Sequence, residues 1–193
     1  MDLSVAGLRL EIEEGKHQLS TDSLPCHFKF VSPTGEPESN SVLRLRFADA
    51  PDYDTHQLLT PICRNEIWEL WLDPAGKYVF TQPGQVPQRW IVIAPDFTTG
   101  SIYGDFSALA HSSFYPLEYL DIVIYSNWLA LRGDLILHAS GIAWQHKAFV
   151  FIGHSGAGKS TLVSDLSALP KVTVLGEDQL VLRKIDQKFF VYG

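Results

Sequence analysis

Three glycines stand within six residues, at Gly153, Gly156 and Gly158, and Lys159, Ser160 and Thr161 follow at once. Gly153, Gly158, Lys159 and Ser160 fit the pattern G-x-x-x-x-G-K-[ST]. Glycines let successive backbone N–H groups turn inward around phosphate oxygens, and a helix that follows presents the positive end of its dipole to the same anion. Ser155, Gly156, Ala157 and Thr161 complete such a cradle. Lys159 would reach the β- and γ-phosphates, and the Ser160 hydroxyl would join the shell of a Mg2+ ion. The expected ligands are therefore ATP and Mg2+. The phosphate loop does not separate ATP from GTP, because contacts to the base lie elsewhere.

Two carboxylates come soon after. In "KVTVLGEDQLVL" a β-branched run ends at Glu177 and Asp178, and only a short helical stretch and Pro170 separate it from Lys159. In GTPases and ABC-type ATPases the corresponding acid usually lies much farther on. A carboxylate pair at a strand end beside the loop offers a Mg2+ ligand, for which Glu177 and Ser160 are the candidates, and a base that accepts a proton from an attacking hydroxyl. Which of Glu177 and Asp178 is the base stays open on spacing alone. His138 is the third catalytic candidate. A hairpin turning around Gln145 to Lys147 sets it opposite Gly153 or His154, at the mouth of the loop, where an imidazole can bond an acid or a substrate hydroxyl. His154 occupies a variable loop position and carries no expected chemistry.

Those residues need elements to hold them. "DLILHASGIAWQHKAFVFIG" reads as two apolar β-runs around a polar turn, delivering the second strand into the glycine loop, and "STLVSDLSAL" reads as the helix that leaves it. Upstream, "YPLEYLDIVIYSNWLALRG" predicts a helix with Pro116 in its first turn, Leu117, Leu120, Ile124, Trp128 and Leu131 along one stripe, and Gly133 just past its end. The first hundred residues carry short alternating stretches instead: "LRLEIE", "VLRLRF", "IWELWL", "KYVFTQ" and "RWIVIA". The connectors "SPTGEPESN", "DPAGK" and "QPGQVPQ" supply turn residues between them, and "WLDPAGKYVF" has the form of a hairpin. Trp68, Trp71 and Trp90 on these strands read as packing rather than as a ligand cage. The expected organisation is a mostly antiparallel, β-rich domain over residues 1–110, a linker helix over 111–133, and a nucleotide-binding domain over 134–193.

The run "LHASGIAWQHKAFVFIGHSGAGKSTLV" followed by "VLGEDQLVL" resembles the catalytic domain of the HPr kinase/phosphorylase family across about residues 133–184. That family resembles phosphoenolpyruvate carboxykinases in fold and phosphorylates a serine hydroxyl with ATP. The resemblance implies an α/β kinase core, α+β overall with the β-rich half included. It implies nucleotide and metal at Lys159 and Ser160, base and metal functions at Glu177 and Asp178, and assistance from His138. The family's usual acidic pair is Asp-Asp, so Glu177 is one methylene longer. The spacing from helix to acids is slightly longer too, and the kinase core is expected to be C-terminally incomplete at Gly193. The β-rich first half fits better with the looser group of kinase-like relatives that act on other serine hydroxyls, including those of peptides. A catalytically silent nucleotide-binding module and a general P-loop ATPase stay open as alternatives.

Composition bounds the partners. A formal net charge of −7 across 193 residues disfavours a nucleic-acid partner, whose binders usually carry a basic face. The two cysteines, Cys26 and Cys63, form no zinc or disulfide pattern. The start lacks the basic n-region of a secretory signal, and no apolar run is long enough to cross a bilayer, so a cytoplasmic protein off the membrane is expected. The expected partners are a nucleoside triphosphate and a serine-bearing protein or peptide, and an unfinished sheet would suit pairing with a second copy.

Overall fold

The computed structural model describes residues 1–20, 41–48, 59–84, 89–106 and 113–193. The connector at 32–40, Cys26 and residues 85–88 of the Pro/Gly-rich connector lie outside them. The described residues form two compact units, one of residues 1–4 and most of 8–125, the other of residues 5–7 and 126–193. The fold is a strand-rich α+β arrangement of two sheets. No described helix is long and apolar enough to cross a membrane.

The first unit holds eight strands: β1 (Asp2–Val5), β2 (Leu8–Glu13), β3 (Val42–Phe47), β4 (Thr60–Arg64), β5 (Glu69–Leu72), β6 (Tyr78–Thr81), β7 (Trp90–Ile93) and β8 (Thr99–Tyr103). They make one sheet in the order β1-β2-β3-β8-β7-β6-β5-β4. Alternation decides the faces: Leu8, Leu10, Ile12, Leu43, Leu45, Ile91, Ile93 and Ile102 are buried, while Arg9, Arg44 and Arg46 point to the other side. From β8 to β4 the pairs are antiparallel, as turn-linked neighbours must be. The β5–β6 hairpin closes as its sequence demands, with Lys77 N–H on the Asp73 carboxylate at 2.8 Å and Gly76 at φ 78°. The expectation of antiparallel pairing is modified at one place, because β3 runs parallel to both β2 and β8. Neither neighbour is joined to it by a hairpin, so no tight turn sets its direction. Trp68, Trp71 and Trp90 are half-buried, Trp71 beneath the Arg64 guanidinium at 4.9 Å.

Helix α1 (Asp121–Ala130) is shorter than the stretch that predicts it. Tyr119 takes φ 64°, a left-handed conformation that breaks any helix continuing from Pro116. At the other end Gly133 at φ 74° closes a Schellman motif, with Asp134 N–H on Leu129 O at 3.1 Å and Gly133 N–H on Ala130 O at 3.0 Å. Leu117, Leu120, Ile124 and Trp128 are buried as the stripe requires, but Leu131, past the last helical residue, is 53% exposed.

The second unit carries β9 (Leu135–Trp144), β10 (Lys147–Ile152), α2 (Lys159–Ser167), β11 (Val172–Gly176), β12 (Gln179–Ile185) and β13 (Lys188–Tyr192). Strand β9 is the spine. It pairs with β10 along one edge and with β11 and then β12 along the other, and every pairing is antiparallel. Within β11 the register shifts at a bulge, Val174 facing Ile142 but Gly176 facing Gly141, and β12 takes up the pairing at Gln179 opposite His138. Ala139, Leu175 and Leu180 centre its apolar core, with Leu137, Val150 and Val191 packed around them. Gly141 is required there, since a Cβ would stand 2.8 Å from Leu180 Cδ1. A buried ion pair joins residues distant in sequence: Arg183 Nε donates to Asp134 Oδ2 at 2.9 Å, and a terminal guanidinium nitrogen donates to Ala6 O at 2.6 Å. Lys184 N–H completes Asp134 through Oδ1 at 3.0 Å.

Candidate active site

Strand β10 ends at Ile152 and α2 begins at Lys159, so the glycine loop spans the junction. Gly156 and Gly158 take φ 80° and 84°, conformations that side-chain-bearing residues adopt only with strain. The loop is tight, since a Cβ on Gly153 would stand 3.2 Å from that of Ala157, and Ala157 N–H bonds His154 O at 3.2 Å. The residue that caps α2 is Gly158, which offers no side-chain oxygen to the helix, and Leu162 N–H takes its carbonyl at 2.9 Å. The first N–H groups of a helix have no partner within it, so those of Lys159 and Ser160 face outward with the positive end of the dipole. Ser155, Ser160 and Thr161 are exposed. The Lys159 ammonium folds back on the loop, donating to Gly153 O at 2.8 Å and His154 O at 3.2 Å. The His154 ring engages its own neighbourhood, Nδ1 lying 2.7 Å from Ser155 O.

The other candidates are positioned by β9. The β9–β10 turn is two residues, Gln145 and His146, both at positive φ, and it sets Lys147 opposite Trp144 and Ile152 opposite Ala139. The pairing ends there, so Gly153 follows β10 directly and His138 is the residue of β9 just before Ala139. On the other edge of β9, Ala139 N–H bonds Asp178 O at 3.0 Å, which places the acidic corner beside His138. The side chains meet: His138 Nδ1 and Asp178 Oδ1 are 3.0 Å apart, the ring 60% and the carboxylate 74% exposed. Asp178 and His138 are thus brought together. Glu177 is exposed, and no hydrogen bond or ion pair among the described residues joins it to Ser160. Nor do the described residues contain any group of three His, Cys, Asp or Glu side chains arranged to hold a metal ion.

Ser140 was not among the residues singled out by spacing. It is fully buried, opposite Phe151 in β10, and its hydroxyl donates to Glu177 O at 2.6 Å. Through this bond the central strand ties the acidic corner to the strand that feeds the loop. A lone hydroxyl in the apolar run "ILHASGIAW" is its only sequence signal, since a buried hydroxyl must find a partner. No protein-family model, curated protein or solved structure matches this chain.

Proposed function

We propose that the chain is an HPr kinase-like P-loop protein that transfers the γ-phosphoryl group of ATP to a serine-type hydroxyl of a protein or peptide. The observation that supports it is the register of β9, whose His138 meets Asp178 and whose next residue, Ala139, pairs with Ile152, the last residue of the strand before the phosphate loop. A kinase of the phosphoenolpyruvate carboxykinase-like type needs these parts side by side: an anion cradle, a charge for the phosphates and a base for the acceptor.

In this reading the N–H groups of the loop and of the first turn of α2 hold the phosphate oxygens, and Lys159 leaves Gly153 O and His154 O to reach the β- and γ-phosphates. The hydroxyl and carboxylate donors fit Mg2+, a hard cation that takes oxygen ligands, and Ser160 and Glu177 would hold it. When bound, the ion neutralises charge on the phosphate oxygens. Asp178 is the base: it accepts the proton of the serine hydroxyl as that oxygen attacks the γ-phosphorus and ADP departs. His138 holds Asp178 through Nδ1, which fixes the direction in which the free carboxylate lone pairs point.

Calorimetric titration with Mg·ATP tests the first half and ATP-dependent phosphate incorporation the second. The wild type is expected to bind, Lys159→Ala to lose binding, and Asp178→Asn to bind ATP while losing incorporation by 10²-fold or more, roughly the worth of a general base. Incorporation unchanged in a folded Asp178→Asn would sink the kinase assignment. The exposure of Asp178 and His138 favours a second reading, a nucleotide-binding regulatory module without turnover, because proton transfer catalysis works best in a water-excluded site. ATP binding with no turnover on any acceptor would establish it, and rapid hydrolysis without an acceptor would establish a general ATPase.

A further inference from the structure

One face of the eight-stranded sheet carries a row of arginines, and among the described residues all but one have ion-pair partners. Arg9 bonds Asp2 at 2.8 Å and Glu11 at 3.2 Å, Arg44 bonds Glu11 at 2.8 Å, and Arg64 bonds Glu69 at 2.9 Å. Arg46 has no ion-pair partner among the described residues, although Glu13 stands across from it in the β2–β3 register. Lys77, at the start of β6, has none either among those residues. These two cations flank one groove.

The groove follows from strand periodicity. Ser101 faces Arg46 across β3 and β8, and Val92 faces Ser101 across β7 and β8, so all three share the outer face. Thr99 and Tyr103 lie two residues either side of Ser101 and join it in a row of hydroxyls along β8. Val92 and the small residue Ala94 leave the floor low between the long side chains at either rim, and the hollow has a volume of about 170 Å³. At about 30 Å³ per water that is room for five or six waters, enough for a phosphate or carboxylate head and the first atoms of its stem.

We propose that this groove binds a compact oxyanion, a phosphate monoester or a carboxylate. Arg46 supplies the planar fork that suits either group and Lys77 a second positive charge. The Thr99 and Ser101 hydroxyls donate to the remaining oxygens. The local positive character stands against the chain's net charge of −7, so attraction is confined to the groove and falls with added salt. The proposal does not rest on the nucleotide site.

Amide NMR of the full chain, titrated separately with O-phosphoserine, succinate and inorganic phosphate, tests it. Saturable shifts of the Gly100, Ser101 and Tyr103 amides are expected, weakened about tenfold in affinity by Arg46→Gln with Lys77→Gln, the loss of two charge-assisted contacts. Ser101→Ala, which leaves both cations in place, is expected to weaken binding less. Preference for phosphoserine or for succinate identifies which source the groove serves. No saturable shift with any of the three, or equal affinity in the folded Arg46→Gln, Lys77→Gln protein, would overturn the proposal.

Discussion

Asp121 opens helix α1 in a position that water does not reach, being 1% exposed. One carboxylate oxygen takes the Ile122 N–H at 2.8 Å. Burial pushes its pKa up from 3.8 to about 6, opposed by the hydrogen bonds to backbone N–H and by the Tyr115 hydroxyl, and helped slightly by Glu118. The carboxyl therefore binds its proton more tightly in the folded protein than in the unfolded chain. Stability from this group is fully present below about pH 4 and is lost as pH rises through about 6, the reverse of a salt-bridged aspartate. A rise of about two pKa units is worth about 3 kcal/mol. Asp121→Asn keeps the shape and removes the charge, so it should match the wild type near pH 4 and exceed it by about 3 kcal/mol above pH 7. Urea unfolding of both proteins at several pH values, followed by tryptophan fluorescence, reads that difference directly and cancels the titration of every other carboxylate. A gap that stays constant with pH would show that Asp121 has the same pKa folded and unfolded and refute the reasoning.

Arg183→Leu should cost about 3–5 kcal/mol, because it leaves Asp134 charged and 3% exposed without its partner, while the Arg183→Leu, Asp134→Leu double variant should recover most of the loss. Thermal unfolding of the two proteins measures it, and a double variant no better than the single would argue against the pair. Ser140→Ala leaves the Glu177 carbonyl short of its buried donor, at about 1–3 kcal/mol, and should slow phosphoryl transfer while sparing ATP binding. Calorimetry beside the incorporation assay checks this, and equal loss in both would mean that Ser140 supports the loop itself.

What the sequence by itself determined was everything whose cause is local. Three glycines and a lysine between a strand and a helix need no tertiary information, because left-handed backbone at Gly156 and Gly158 belongs to glycine wherever it occurs. Alternation placed Leu8, Leu10, Leu43 and Leu45 on the buried face, and a hairpin turning around Gln145 to Lys147 follows from two apolar runs meeting at a polar stretch. Spacing left His138 opposite Gly153 or His154, and the pairing of Ile152 with Ala139 ends one residue short of Gly153. Tertiary structure decided what depends on residues far apart in the chain. The parallel placing of β3 and the joining of Ser140 to Glu177 and of Arg183 to Asp134 and Ala6 all rest on which strands lie side by side. Even α1 was cut short by one residue, Tyr119, whose left-handed turn no periodicity encodes. Spacing reports what a segment prefers. Partners across a sheet are chosen by the packing of the whole unit, and polar groups buried there must take whichever donor or acceptor that packing supplies.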